Sequence, residues 1–269
     1  MIDREQRYTH GHQESVLRSH RWRTAENSAG YLLPELRSGD ALLDVGCGPG
    51  TITADLADRV APGRVAAIDA SAEVVDEARR TLAARGHGAA EVEVGDVYGL
   101  DEPDEAFDVV HAHQVLQHLG DPVAALVEMR RVCGPRGVVA ARDADYAAMS
   151  WYPHDERLDR WLDVYRATAS ANGAEPDAGR RLPSWFRSAG FGTIAVTAST
   201  WCFAERAERE WWGSLWAGRV TGSAFAQQAL EAGLTDEAEQ AAMADAFRSW
   251  AQHPDGWFVV VHGEVVARA

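Results

Sequence analysis

Residues 42–51 read LLDVGCGPGT, and this stretch sets the fold. An apolar run with one aspartate, LLDV, leads into a loop with glycine at every second position, and residues with helical character follow. Glycine tolerates the left-handed backbone of a tight turn and, having no Cβ, lets a ligand approach the backbone closely. The first turn of a helix offers free N–H groups and positive partial charge. The stretch therefore predicts a strand, a ligand-binding turn and a helix, suited to a ligand that carries a carboxylate or another anionic group.

The spacing of the loop residues narrows the choice of ligand. Asp44, Gly46, Gly48 and Gly50 form the pattern D-x-G-x-G-x-G, one residue shorter than the G-x-G-x-x-G fingerprint that surrounds a dinucleotide pyrophosphate. The G-K-[ST] ending of a phosphate-binding P-loop is missing from this stretch. The pattern resembles motif I of the class I S-adenosylmethionine-dependent methyltransferases. That resemblance implies that the loop faces the methionine part of the cofactor and that Asp44 helps to hold its ammonium group.

Two further acids stand at the ends of predicted strands. Asp69 follows the second strand, about 20 residues beyond the glycines, where a carboxylate can accept hydrogen bonds from ribose hydroxyls; it would serve NAD equally well. The resemblance implies that Asp96, in the run Gly-Asp-Val after the third strand, accepts from the adenine amine while a backbone N–H beside it meets a ring nitrogen. We therefore expect Asp69 and Asp96, with the adjoining Ala70 and Val97, to line the cofactor site.

Strand and helix patterns alternate along the chain from this loop onward. Short apolar runs predict strands, and apolar positions at helical spacing predict the helices between them. The predicted strands are residues 41–45, 64–68, 91–94, 107–112 and 137–142, and the predicted helices are residues 50–60, 71–85 and 122–132. The alternation predicts a Rossmann-like α/β fold with a doubly wound, mostly parallel sheet.

Helical patterns dominate outside this core. One helix is predicted near the N-terminus over residues 13–36, and further helices over residues 144–189 and 205–252, with strands at residues 193–200 and 257–268. We expect residues 1–38 to form an N-terminal lid segment and residues 39–143 to form an S-adenosylmethionine-binding core. We expect residues 144–269 to form helical cap insertions together with the last strands.

The family resemblance covers residues 40–143. Residues 173–191, GAEPDAGRRLPSWFRSAGF, also resemble the small-molecule methyltransferases of ubiquinone and menaquinone biosynthesis. These resemblances imply S-adenosylmethionine-dependent O- or C-methylation of a small molecule, such as a quinone-like or natural-product acceptor, by in-line displacement. Three alternatives stay open: an NAD-dependent oxidoreductase, a non-catalytic S-adenosylmethionine-binding protein, and an enzyme that keeps the cofactor but performs other chemistry, such as a cyclase or decarboxylase.

Candidate residues for the acceptor side follow the fourth and fifth strands. His113 ends the fourth strand, where it is expected either to act as a general base and cofactor contact or to line the pocket with its backbone only. Tyr146, Trp151 and Tyr152 come soon after the fifth strand. They are expected to border the acceptor, because aromatic walls suit a flat apolar ligand. Most of the other tryptophans are expected to bury the inserted helices against the sheet.

Residues near the N-terminus are candidates for a lid. Tyr8 and Arg23, together with His12, are expected to close over the cofactor. The alternative for this region is a frayed terminus with no role in binding.

Charge and composition exclude several classes of function. The formal net charge is −15, and a surface of that sign repels phosphate backbones, so nucleic acid is not an expected partner. No apolar run approaches the roughly 20 residues of a membrane span. Three separated cysteines form no disulfide or zinc pattern, which favours the reducing cytoplasm.

Asp143 and Asp145 lack the third carboxylate of a magnesium site, so we expect no metal. A monomer or homodimer is expected.

Overall fold

Seven strands form one sheet in the computed structural model, which describes residues 14–269. They are β1 (Leu42–Val45), β2 (Val65–Asp69), β3 (Glu91–Val94), β4 (Phe107–His113), β5 (Cys133–Tyr152), β6 (Ile194–Phe203) and β7 (Trp257–Arg268). Their order is β3-β2-β1-β4-β5-β7-β6. Only β7 is antiparallel to its neighbours, β5 and β6, while the other pairs are parallel. The predicted Rossmann-like, mostly parallel sheet is confirmed.

Helices cover both faces of this sheet. The described residues form α1 (Glu14–Arg21), α2 (Ala25–Ser28), α3 (Thr51–Val60), α4 (Ala72–Ala84), α5 (Pro122–Val132), α6 (Glu156–Ala171), α7 (Leu182–Ser188), α8 (Arg206–Gly222), α9 (Ala224–Glu231) and α10 (Glu237–Gln252). Helices start as predicted where the sequence supplies a capping side chain. Asp121 accepts the backbone N–H of Ala124 at the start of α5, and Ser71 accepts that of Val74 at the start of α4.

The central strand β1 is buried on both faces. Leu42 packs on the face covered by α2 and α3, whereas Leu43 packs on the face covered by α5. Strands enclosed in this way read as continuous apolar runs, so the single acid among them, Asp44, stands out. Its Cα is in register with Ala67 on β2 and with His111 on β4. The carboxyl ends of β1, β2 and β4 therefore lie at one edge of the sheet.

The N-terminal segment is broken rather than forming the single helix expected over residues 13–36. α1 ends at Arg21, and Thr24 then caps α2: its hydroxyl accepts the N–H of Asn27, while the Asn27 side chain accepts the N–H of Thr24. Such reciprocal caps offer the backbone an alternative to helical hydrogen bonds, which explains the break. Tyr8 and His12 lie outside the described residues.

Strand β5 is longer than predicted. The sequence favours a helical insertion from residue 144, but the chain continues as a strand to Tyr152, past an irregularity between Asp145 and Ser150. Residues 150–152 pair with residues 257–259 of β7, and this long-range partner overrides the local pattern. The helical cap accordingly begins with α6, and the boundary expected at residue 143 falls inside β5.

The cap has an aromatic core of its own. α6, α8 and α10 surround the fully buried Trp161, whose ring centroid lies 4.5 Å from that of Trp216 and 4.9 Å from that of Phe247. Phe258 of β7 joins the same cluster, so the cap is seated on the sheet. Trp161, Trp212, Trp216 and Trp250 of the cap all belong to this buried cluster, so they help to bury the inserted helices against the sheet.

Trp161→Ala should lower the free energy of unfolding by about 3–5 kcal/mol, because loss of a buried indole leaves a cavity that its neighbours fill only in part. Urea unfolding followed by circular dichroism measures the change. Trp257→Ala is the matched control: its side chain is 40% exposed, and its loss should change stability by less than about 0.5 kcal/mol. Similar losses in the two variants would contradict this account of the cap.

Candidate active site

A cavity of about 490 Å³ opens at the carboxyl edge of the parallel strands. The loops after β1, β2 and β3 form one end, and the end of β4 forms its floor. The other end lies under the cap, between α1 and α8. Ligand sites of open α/β sheets form at this edge, so the cavity is where the sequence predicts it.

The three loop glycines have different tasks. Each has a positive φ, which L side chains rarely adopt. A Cβ on Gly46 would collide with the side chain of Val115, and one on Gly50 would lie 3.1 Å from the Cα of Ala78 on α4. A Cβ on Gly48 would meet nothing within 4 Å. Gly46 and Gly48 line the cavity, whereas Gly50 lies outside its lining and lets α3 approach α4.

Asp69 ties the glycine loop to the second strand. One carboxylate oxygen accepts the N–H of Gly48 at 3.1 Å, and the other accepts the N–H of Ser71 at 3.1 Å. These bonds fix the carboxylate in the cavity wall, and Ala70 lines the wall beside it. Because each carboxylate oxygen has a second lone pair, Asp69 can still accept from a ligand hydroxyl.

Asp44 is buried beneath the loop and held from two sides. The hydroxyl of Thr53 donates to one oxygen at 2.6 Å, and Nδ1 of His111 lies 2.8 Å from the other. Thr53 and His111 were not expected from the sequence. Thr53 could have been identified only by its position in α3, and His111 only by the strand register that sets it beside Asp44. Thr53 and His111 together hold the Asp44 carboxylate directly below the glycine loop.

Asp96 and Val97 form the far end of the same wall. The Asp96 carboxylate accepts the N–H of Tyr98 at 3.0 Å, which fixes the turn after β3. Val97 is buried, while Asp96 is exposed, and both line the cavity. Gly46, Gly48, Asp69 and Asp96 thus lie along one wall of the cavity, whereas Gly50, which the sequence also predicts to contact the cofactor, lies outside its lining.

His113 lies in the floor of the cavity at the end of β4. Its side chain is buried, and neither ring nitrogen has a hydrogen-bond partner among the described residues. Burial lowers the pKa of His113 well below its usual value, and the charges of Arg23 and Arg142 lower it further. The imidazole is therefore neutral at neutral pH, so it can accept or donate a hydrogen bond but is a weak base.

The segment between α1 and α2 covers this floor. Arg23 donates from Nη2 to Oε1 of Gln114 at 2.6 Å, and its guanidinium lies 5.5 Å from the centre of the Trp201 ring. Gln114 follows β4 with a φ of 54°, a strained value for a residue with a side chain. Ser19, His20 and Trp22 also line the cavity. Arg23 thus lies where a lid residue was expected, although the sequence missed its three neighbours.

Aromatic side chains and one arginine form the end under the cap. Tyr146 of β5 is buried in this wall and stacks on Tyr165 of α6, with ring centroids 4.1 Å apart. Trp201 of β6 and Trp211, Trp212, Trp216 and Arg219 of α8 line the same end. The sequence did not single them out for this wall, because they follow the glycine loop by 150 residues or more and only the fold brings them to it.

Two expected acceptor residues lie outside the cavity lining. Trp151 stacks on Phe258 in the cap core, with ring centroids 5.5 Å apart, and does not reach the cavity. Tyr152 is exposed and meets His253 edge-on at 6.3 Å. Their expected role rested on β5 ending near residue 142, but the strand continues and carries both side chains beyond the site.

Asp143 and Asp145, which lie in β5 beyond its pairing with β4, accept hydrogen bonds from other residues of the protein. Both oxygens of Asp145 accept from Arg180 at 2.6 Å. Asp143 is fully buried: one oxygen accepts the N–H of Gln117, and the other has no partner among the described residues. Burial raises the pKa of Asp143 to about 7. Within residues 14–269, no three His, Cys, Asp or Glu side chains cluster as a metal site would require, and no helix is long and apolar enough to cross a membrane.

Comparison with known proteins agrees with this geometry. Residues 36–190 match the family described as methyltransferase domain. An uncharacterized methyltransferase of Schizosaccharomyces pombe is 35% identical over 267 residues, 96% of this chain and 95% of that protein. A ubiquinone/menaquinone biosynthesis C-methyltransferase of Bdellovibrio bacteriovorus is 35% identical over 103 residues, 38% of this chain and 43% of its own. The YcgJ protein of Bacillus subtilis has the same fold, with a TM-score of 0.59 at 17% identity over 90% of this chain and 97% of that one.

Asp143→Asn should change how stability depends on pH. The carboxyl of Asp143 binds its proton more tightly in the folded chain, with a pKa of about 7 against an ordinary 3.8. Folding therefore takes up a proton between about pH 4 and about pH 7, and the wild type loses stability as pH rises through that window. The variant lacks this loss. The free energy of unfolding of the variant, relative to that of the wild type, should therefore rise by up to about 1.4 kcal/mol per pH unit across the window.

Urea unfolding of both proteins at several pH values across that window measures the difference. A difference between the two free energies of unfolding that stays constant with pH would contradict the raised pKa of Asp143.

Proposed function

The chain belongs to the methyltransferase domain family, and on that premise we propose that it passes the methyl group of S-adenosylmethionine to a small-molecule acceptor held under the helical cap. The enzyme class and the cofactor follow from the family. The acceptor's place is part of the proposal. The observation that carries it is the continuity of the cavity, which runs from the acid-lined wall at the glycine loop to the aromatic wall formed by β5, β6 and α8.

The residues at the loop end fit the cofactor. The open space at Gly48 leaves room for the methionine part, and the charge of Asp44 suits its ammonium group. Asp69 is fixed where ribose hydroxyls can donate to it, and Asp96 and Val97 border the place for the adenine. Arg23 supplies a positive charge over the floor of the cavity, beside Gln114. When bound, S-adenosylmethionine supplies an activated methyl group, so the protein mainly has to position the acceptor and exclude water.

We assign His113 a hydrogen-bonding role beside the acceptor. A neutral imidazole can orient a nucleophilic atom, but the imidazolium formed by full proton transfer would be costly next to Arg23 and Arg142. The enzyme would then work best on an acceptor that is already nucleophilic. O- or C-methylation of a quinone-like or natural-product acceptor is consistent with that requirement.

We also infer a cytoplasmic location and a monomeric or dimeric state. All the cysteines are free thiols, and Cys202 is exposed, which suits a reducing compartment. Recovery of the protein from a secreted fraction of its source cells, or a larger assembly in sedimentation, would contradict these inferences.

Gly48→Ala tests the cofactor assignment against a closely matched control. Gly48 and Gly86 both have a positive φ and open space around a would-be Cβ, so alanine at either position should cost about 1–2 kcal/mol of backbone strain. Only Gly48 lines the cavity. In isothermal titration with S-adenosylhomocysteine, Gly48→Ala should weaken binding at least about tenfold, or about 1.4 kcal/mol, and Gly86→Ala should leave it near the wild-type value.

The same titrations with NAD test the oxidoreductase alternative. The wild type should bind NAD far more weakly than S-adenosylhomocysteine. Tight NAD binding, or equal effects of the two glycine substitutions, would count against the proposed function.

The neutral state of His113 has a direct test by NMR. Because burial and two neighbouring guanidinium groups lower its pKa, the ring signals of His113 should not shift between about pH 8 and about pH 5.5, where an ordinary histidine titrates. Comparison with the spectrum of His113→Asn assigns those signals. A titration of His113 inside this range would restore it as a candidate general base.

A further inference from the structure

The two edge strands of the sheet, β3 and β6, are built differently. β3 has four residues, and two of them, Glu91 and Glu93, are exposed acids. β6 has ten residues, and none of them is charged. Short length and charged side chains are two devices that keep an edge strand from pairing with another chain. The β3 edge has both of these devices, and the β6 edge has neither.

The outer side of β6 is accessible to another strand. Among residues 14–269, β6 pairs with one strand only, β7, and all ten of its residues take part. Residues 195–198 are exposed in an unbroken run. Since successive side chains of a strand point to opposite faces of the sheet, neither face is covered there. The backbone N–H and C=O groups on the outer side of β6 can therefore pair with a strand from outside the chain.

Charge and symmetry favour one of the ways in which two copies of the chain could pair. Each copy has a formal charge of −15, which opposes association. Pairing of β3 with β3 would add repulsion between the glutamates of both strands. Pairing of β3 with β6 would leave an open edge on each copy and would continue into a filament. Pairing of β6 with β6 brings uncharged side chains together and uses the same edge of both copies, so it stops at a dimer.

We propose that β6 pairs antiparallel with β6 of a second copy of this chain, so that two seven-stranded sheets join into one across a two-fold axis. Two strands of ten residues can form about ten inter-chain backbone hydrogen bonds, a number typical of specific interfaces. The pairing adjoins the candidate active site, because Trp201 of the same strand lines the cavity. The proposal selects the dimer over the monomer and does not depend on the proposed methyl transfer.

Sedimentation of the full chain at micromolar concentrations tests the pairing. The wild type should sediment as a dimer. Val196→Lys should weaken the dimer at least about tenfold, because it places a like charge from each copy close to the paired strands. If Val196→Lys does not fold, as judged by circular dichroism, Ala198→Lys at another exposed position of β6 should have the same effect.

Val94→Lys is the matched control. Val94 lies on β3, the other edge strand, and is 56% exposed, against 49% for Val196. The two substitutions therefore add the same charge at similarly exposed valines on opposite edges of one sheet. Val94→Lys should leave the dimer as stable as that of the wild type.

A distance between the two copies locates the interface. Cys202 of β6 is exposed, whereas Cys47 and Cys133 are buried, so a nitroxide label can be attached at Cys202 alone. A strand of ten residues spans about 34 Å, so in the antiparallel pair the two Cys202 positions should lie within about 35 Å of each other. Pulsed electron paramagnetic resonance of the labelled dimer measures this distance.

Three results would overturn the proposal. The first is a wild type that stays monomeric or forms assemblies larger than a dimer. The second is a dimer that both lysine variants weaken equally, or that Val196→Lys leaves intact. The third is a labelled dimer with the two Cys202 positions farther apart than the strand length allows. Each of these results leaves the proposed function standing, because titration with S-adenosylhomocysteine tests that function separately.

Discussion

The parallel register that holds β1 between β2 and β4 is the constraint on which the cofactor end depends. It sets His111 beside Asp44, so that one imidazole can hold the single acid of an otherwise apolar strand. It also brings the end of β2 level with the glycine loop, where Asp69 can accept the N–H of Gly48. A slip of one residue would turn these side chains to the opposite face and dismantle the wall. The site is thus a property of strand alignment as much as of the motif.

Strand β5 connects the two ends of the cavity. Up to Arg142 it pairs with β4 and completes the Rossmann-like core, and beyond that point it pairs only with β7 and carries Tyr146 into the aromatic wall. The cap helices then close over that extension around Trp161. The cap end of the cavity is therefore no separate module attached to the core, since it is built on the continuation of a core strand.

The sequence predicted the core well because its signals there are local. The glycine spacing and the short apolar runs each act within a few residues, so the strand ends that carry Asp69 and Asp96 could be predicted. The aromatic wall under the cap was predicted poorly, because Trp212 and Arg219 reach the cavity only through helix packing. Trp151 was misplaced for a related reason: pairing with β7 extended a strand where the local pattern favours a helix.

The position of α1 has a consequence for both ends of the cavity. This helix is fastened at the loop end, where the Thr51 hydroxyl donates to the carbonyl of His20, and at the cap end, where Arg219 donates to Ser19. An exposed ion pair between Arg21 and Glu77 adds a third attachment to α4. Since Ser19 and His20 of α1 line a cavity that reaches from the glycine loop to the cap, a displacement of α1 would change the loop end and the cap end at the same time.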